Sequence, residues 1–457
     1  MFEHVGAADK ALAEDAIESA THAHKKWSLS AAPERSNVLF RLYDLMQEHA
    51  SVLAECMTLE SGKPITESQG EVQYAASYVR WYAAEARRSY GSTIPGPSSA
   101  HNMLTLQQPV GVCALITPWN FPLAMLARKV APAIAAGCAS VLKPAEDTPV
   151  SALLFAALAQ DAGLPAGVLN VIPCERSSAA DIGELLSTSP DVAKVSFTGS
   201  TAVGKLLLQQ SAGTCKKTSM ELGGNAPLIV FDDADLEKAV QGTLDCKFRF
   251  GGQTCVSANR VLVQEGVLEE YLHLLSQQVK AMRLGDPCSP NTRLGPLINK
   301  QAADKARRLR ADAVSKGASA LCGGEEELAH LPEELQAGHF VPPTVLAGVT
   351  GDMACSEEEV FGPLAAVSSF EEEGEALHRA NDTRTGLAAY VFTSDMARSW
   401  RMSVGLQAGM VAVNDGLLSS EAAPFGGVLE SGLGREGGAG GLSEYMETKY
   451  VLMNSRS

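Results

Sequence analysis

Across residues 7–88 the apolar positions recur every three or four residues, as in Val38, Leu39, Leu42, Leu45 and Met46, a period that predicts successive amphipathic helices. Gly62 and Pro64 interrupt it. Residues 89–109 are rich in Gly, Pro and Ser and turn strand-like around 103–106, which predicts an arm or hairpin leaving the core. From 112 to 230 short apolar strands alternate with amphipathic helices: strands at 112–116, 140–142, 168–172 and 195–197, helices at 123–136, 150–162, 180–186 and 202–209. Repeated βα units need crossovers, so this stretch predicts a parallel sheet covered by helices, a common platform for nucleotides. After Asp232 the alternation resumes less regularly, with helices near 268–282 and 301–316 and strands near 388–392 and 410–413, which predicts a second α/β lobe. A glycine-rich stretch after Arg435 leads into a final apolar strand at 446–453, suited to pairing with another element or subunit.

A length of 457 residues exceeds what one hydrophobic core usually serves, in agreement with two lobes. The net charge of −16 and the lack of any basic run exclude a nucleic-acid surface and point to a small substrate. No apolar run approaches the roughly 18 residues of a membrane span, and the first residues, Met1-Phe2-Glu3-His4, carry no leader pattern. The ten cysteines show no Cys-x-x-Cys pair or zinc spacing, and most are expected to be buried, reduced thiols. His22 and His24 stand beside Lys25 and Lys26 and read as a solvated helix face, so no metal site is expected.

The chemistry starts at Cys255, which ends the run Gly252-Gln253-Thr254-Cys255. Upstream, Glu221-Leu222-Gly223-Gly224-Asn225 offers a carboxylate. A thiolate attacks a carbonyl directly, and a nearby glutamate can activate the water that clears the adduct. The dinucleotide fingerprint Gly-x-Gly-x-x-Gly is missing. In its place Phe197-Thr198-Gly199-Ser200-Thr201-Ala202-Val203-Gly204 ends a strand with a glycine and a hydroxyl at a helix start, a pattern that suits a phosphate and equally suits an ordinary capped helix. Lys143-Pro144-Ala145-Glu146 follows another strand. Glu146 there suits a ribose diol and would repel a 2′-phosphate, which favours NAD over NADP. Thr117-Pro118-Trp119-Asn120-Phe121-Pro122 forms a rigid loop whose Asn120 can serve as an oxyanion donor, a turn residue or a helix cap.

Together these runs resemble the aldehyde dehydrogenase superfamily over essentially the whole chain, in family order and continuing through Glu358-Glu359-Val360-Phe361-Gly362-Pro363 and Pro424-Phe425-Gly426-Gly427. The resemblance implies a Rossmann-type cofactor domain (1–88 and 110–221), an α/β catalytic domain (222–434) and a small β oligomerisation arm (89–109 and 443–457). It makes Cys255 the nucleophile, Glu221 the general base, and the Asn120 amide with the Cys255 N–H the oxyanion hole. Lys143, Glu146 and Glu359 would hold the cofactor riboses, Gly199 and Ser200 the pyrophosphate, and Phe361 the nicotinamide riboside. Thr117, Pro118, Trp119 and Gly204 complete the expected cofactor contacts. The cofactor implied is NAD, with NADP as the second option, and the glutamate favours hydrolysis over transfer to coenzyme A.

Within the superfamily the chain is similar to succinate-semialdehyde dehydrogenases, through residues 123–129, 143–149 and 416–420. That group grips its substrate carboxylate at positions matching Arg128, Arg249 and Ser419, and the planar fork of arginine suits a carboxylate. Other expectations are a dehydrogenase of a different aldehyde, such as glutarate semialdehyde or an amino- or aryl-aldehyde, and a weakly catalytic, crystallin-like binding protein. Phe250, followed by Gly251, stands where the family usually has Asn, which predicts a repacked nucleophile loop. Ser257 replaces the second cysteine with which some relatives form a regulatory disulfide, so that switch should be absent. The resemblance further implies a homodimer or homotetramer in the cytoplasm or mitochondrion. Because the chain starts later than most members, an N-terminal strand region or targeting segment is expected to be missing.

Overall fold

The computed structural model describes residues 4–454; the outermost three residues of the expected segments 1–88 and 443–457 lie outside them. Four helices open the chain: α1 (Lys10–Trp27), α2 (Ala32–Glu48), α3 (Ala50–Ser61) and α4 (Ile65–Glu85). Gly62 ends α3 at φ +74°, a left-handed backbone that would cost a residue with a Cβ roughly 1–2 kcal/mol. Strands β1 (Thr93–Ile94) and β2 (His101–Pro109) form the arm.

The βα series follows as β3 (Val112–Ile116), α5 (Ala124–Ala136), β4 (Ala139–Lys143), α6 (Val150–Asp161), β5 (Leu169–Val171), α7 (Ala179–Thr188), β6 (Val192–Thr198), α8 (Thr201–Ala212) and β7 (Lys217–Glu221). Every residue of β3, β4 and α5 is buried, the signature of a parallel sheet covered on both faces. In the sheet β3 neighbours both β4 and β6, so the chain reverses its direction of travel between β3 and β6. The crevice beyond the carboxyl ends of those two strands is where open α/β sheets take ligands.

The second lobe contains β8 (Ala226–Val230), α9 (Leu236–Lys247), β9 (Ala258–Gln264), α10 (Glu265–Lys280), α11 (Lys300–Ser315), β10 (Ser319–Cys322), β11 (Thr344–Ala347), α12 (Ala354–Glu357), β12 (Leu364–Phe370), α13 (Glu373–Asn381), β13 (Thr385–Gly386), β14 (Ala388–Phe392), α14 (Met396–Gly405) and β15 (Met410–Val413). Its seven-stranded sheet runs β10-β11-β12-β9-β8-β14-β15. The chain ends with β16 (Val428–Leu429), β17 (Gly432–Leu433), α15 (Gly438–Ser443) and β18 (Met446–Asn454), and β18 pairs antiparallel along the whole of β2.

The chain crosses between lobes at Leu222–Asn225, so the strand ending at Val230 lies in the second sheet although the βα alternation runs on to 230 in the sequence. Residues 222–434 do not all stay in the second lobe: β17 returns to pair with β7, Gly432 opposite Glu221. Both reflect long-range pairing that local periodicity does not encode.

Candidate active site

The first lobe offers the carboxyl ends of its strands and the second lobe the amino ends of β8, β9 and β12, so the segments between strands meet in one cleft of about 390 Å³. Pro118, Trp119 and Asn120 reach it from the end of β3, Thr198 to Ser200 from β6, Glu221 from β7, Cys255 from before β9, and Glu359 with Phe361 from before β12. Topology alone therefore gathers side chains that are up to 243 residues apart in sequence.

Cys255 is half-buried against this cleft. Burial pushes its thiol up to about 12, opposed by the nearby Arg128 guanidinium and reinforced by Glu221. The resting sulfur is therefore a thiol that needs a base. Burial also holds the Glu221 carboxyl well above its ordinary range; Glu436 adds to this, while Arg128, Lys129 and Arg435 oppose it. Glu221 Oε2 has no hydrogen-bond partner. Gly426 makes room for this carboxylate: a Cβ at that position would lie 2.7 Å from Glu221 Oε1. The Asn120 amide is fixed at both ends, its Nδ2 donating to the Gln253 carbonyl at 3.0 Å and its Oδ1 accepting from Phe121 N–H at 3.1 Å. An amide so held retains one N–H for a developing oxyanion.

The residues expected to hold a dinucleotide divide into two sets. Ser200 caps α8, accepting from Val203 N–H at 3.4 Å, so the helix N-terminus opens on the cleft beside Gly199. Thr198 Oγ1 is buried there without a partner. Glu359 accepts from Gly224 N–H at 3.3 Å, and burial raises its carboxyl to about 6. Phe361 adopts a left-handed backbone, φ +51°, and packs edge-on to Trp119 at 5.5 Å. A helix N-terminus, an orphaned hydroxyl and a carboxylate along one cleft fit a dinucleotide. Lys143 and Glu146 form an ion pair at the end of β4, one strand away from the cleft lining, and Thr117, next to Pro118 at the end of β3, donates its N–H to the Lys143 carbonyl. Gly204 sits inside α8 against Leu222, where a Cβ would lie 2.3 Å from Cδ2.

The expected carboxylate clamp also divides. Arg128 is buried on α5, ion-paired to Glu436 at 2.8 Å and stacked over Phe425 at 3.8 Å. Arg249 rests over the Phe121 ring at 5.2 Å, and its Nε, buried, has no acceptor. Ser419 is half-exposed on the loop after β15, where the neighbouring Ser420 carbonyl accepts from Tyr78 Oη at 3.4 Å. On the nucleophile loop Phe250 adopts φ +47°, and its ring meets Trp119 and Phe121 edge-on at 6.2 and 6.4 Å.

Sequence reading missed Lys129, Glu436 and Lys63, all buried. Lys129 donates to Glu436 at 2.6 Å and to Ser196 Oγ at 3.0 Å. The available signal was Arg128-Lys129 inside an otherwise apolar helix, since buried charges require partners.

A half-buried thiol, an unpartnered carboxylate and a fixed amide beside a cleft that fits a dinucleotide define an oxidoreductase working through a covalent cysteine adduct. The chain belongs to the aldehyde dehydrogenase family, which matches residues 1–451. It is 52% identical over 96% of its length to the mitochondrial succinate-semialdehyde dehydrogenase of Arabidopsis thaliana, covering 81% of that protein. It is 48% identical, again over 96%, to the succinate-semialdehyde dehydrogenase [NADP(+)] of Escherichia coli, covering 89% of it. A crystal structure of succinate-semialdehyde dehydrogenase from Burkholderia pseudomallei superposes with a TM-score of 0.94 at 47% identity, covering 98% of this chain and 91% of that one.

Proposed function

We propose that the protein oxidises succinate semialdehyde to succinate, with Cys255 as nucleophile, Glu221 as base and Asn120 as oxyanion donor. The observation that carries the substrate reading is Arg249, a guanidinium without a carboxylate partner among the described residues, close enough for Cys255 to feel its charge. A substrate carboxylate supplies the missing partner. Arg128 is already balanced by Glu436, so it lines the substrate side as a neutralised pair, and Ser419 adds a hydroxyl at the mouth.

Glu221 takes the thiol proton, Cys255 attacks the aldehyde carbon, and the new oxyanion is met by the Asn120 amide and the Cys255 N–H. A bound nicotinamide dinucleotide, held by Gly199, Ser200, Glu359 and Phe361, supplies the hydride acceptor. Oxidation of the adduct leaves a thioester on Cys255. After Glu221 has passed the thiol proton to solvent, its unpartnered oxygen withdraws a proton from water, and hydrolysis frees the acid and returns Cys255 as the leaving thiolate. Lys143 and Glu146 would hold a ribose of that cofactor, with Thr117, Pro118 and Trp119 walling the site, and the charge of Glu146 would favour NAD over NADP.

Exposed apolar side chains on the arm, Leu106, Tyr450 and Leu452, support a homodimer or homotetramer, in the cytoplasm or the mitochondrion. The test is a steady-state comparison of succinate semialdehyde with butanal and glutarate semialdehyde, using NAD and NADP. We expect kcat/KM highest for succinate semialdehyde with NAD; equal values for butanal would remove the carboxylate from the reading.

A further inference from the structure

Phe250, the departure that stands just before the nucleophile, also walls a buried charge. Lys63 follows the Gly62 cap and is fully buried. Its ammonium is ion-paired to Glu71, donates to the Asn120 main-chain carbonyl at 2.8 Å, and lies over two rings, Phe121 at 4.1 Å and Phe250 at 4.4 Å. The other oxygen of Glu71 accepts from Leu123 N–H at 3.0 Å and Ala124 N–H at 3.1 Å, where α5 begins. One turn earlier on α4, Glu67 accepts from Phe250 N–H at 2.7 Å. The corner between α3 and α4 therefore holds both loops of the site, the one carrying Asn120 and the one leading to Cys255.

A buried ion pair contributes little net stability, because desolvation offsets the attraction and apolar replacements often match it. Its geometry is better explained by what it holds. A charge-assisted bond to a main-chain carbonyl fixes the peptide that carries the Asn120 side chain, and the two rings leave the ammonium no other place to go. Beyond its own loop, where Phe121 N–H meets its Oδ1, the Asn120 side chain is tied to Gln253, itself on the nucleophile loop. Without Lys63 the oxyanion donor would move with that loop.

We infer that Lys63 is a positioning residue for the Asn120 amide, and that Phe250 supplies the aromatic wall that keeps it on the Asn120 carbonyl. The inference rests on the proposed role of Asn120.

The test is a double-mutant cycle, Lys63→Met and Asn120→Ala alone and combined, read as the single-turnover rate of NADH formation and as KM. We expect Lys63→Met to lower the single-turnover rate by about 10- to 100-fold with KM nearly unchanged, the size of effect a small misplacement of a catalytic group produces. In the Asn120→Ala background the same change should lower the rate by less than about 2-fold, because the group it positions is gone. Equal losses in both backgrounds, or a folded Lys63→Met enzyme with the parental rate and only a lower Tm, would overturn the inference while leaving the role of Asn120 intact. An Asn120→Ala enzyme with the parental rate would instead refute the oxyanion reading, and Lys63 with it. Should Lys63→Met fail to fold, Phe250→Leu keeps both charges and enters the same cycle, with a loss of about 3- to 10-fold expected and additivity as the refuting result.

Discussion

Two clusters of buried charge flank Cys255, each with two cations and two carboxylates, and they are wired differently. On one side Lys63 and Arg249 face Glu71 and Glu67; on the other Arg128 and Lys129 face Glu436 and Glu221. Around Lys63 the ammonium, both oxygens of Glu71 and one oxygen of Glu67 have partners in each other, in loop backbone or in aromatic rings, while the Arg249 Nε beside them has no acceptor. Around Glu436 both cations converge on that one carboxylate, and Glu221 is left with an oxygen that nothing holds. A satisfied network fixes geometry, whereas an unsatisfied buried carboxyl is a base waiting for a proton. Rigidity and proton transfer are thus assigned to opposite sides of one sulfur.

The comparison is broken first at its centre. Cys255→Ala should lower kcat by on the order of 10⁴-fold or more, measured as NADH formation, and comparable turnover would remove the nucleophile from the account. Glu221→Gln comes next, lowering steady-state turnover by about 10²- to 10⁴-fold. Its pH profile sharpens the point. A carboxyl whose pKa is raised is neutral at low pH and cannot accept a proton, so parental turnover should climb as pH rises through that raised value. The climb should flatten in Glu221→Gln; an unchanged profile would assign the base elsewhere.

Arg249→Ala should reduce kcat/KM for succinate semialdehyde by about 10- to 150-fold, the loss expected for a charge-assisted bond, against less than about 3-fold for butanal. Equal losses on both would remove Arg249 from the clamp. The smallest kinetic effect belongs to Glu436→Gln. Its negative charge helps to raise Glu221, so its removal should shift the pH climb to lower values while Tm falls, because Arg128 and Lys129 lose their shared carboxylate. A shift to higher pH would contradict the coupling between the two carboxylates.

Much of the first lobe was legible before any tertiary information. The apolar run at Val112–Ile116 is a buried strand because helices cover both sheet faces, and such burial leaves an unbroken hydrophobic string. The helix after it was legible for the same reason, and Cys255, Glu221 and Asn120 stood out by residue type and order. The packing of Gly204 against Leu222 was not legible, because a glycine required for helix packing and one required by a ligand look alike in sequence.

What the sequence by itself determined is the local chemistry: which segments become strands and helices, that the chain carries aldehyde dehydrogenase motifs, and that Phe250 breaks one of them. These follow from nearest neighbours and short motifs, whose physics is local. Only the tertiary structure decided which charges meet. It returned β17 to β7, paired Arg128 with Glu436 across 308 positions, left Arg249 without a salt bridge among the described residues, and placed Lys63 against the Asn120 carbonyl. The physical reason is that a buried charge is defined by its partners, and partners come from strand order and lobe contact.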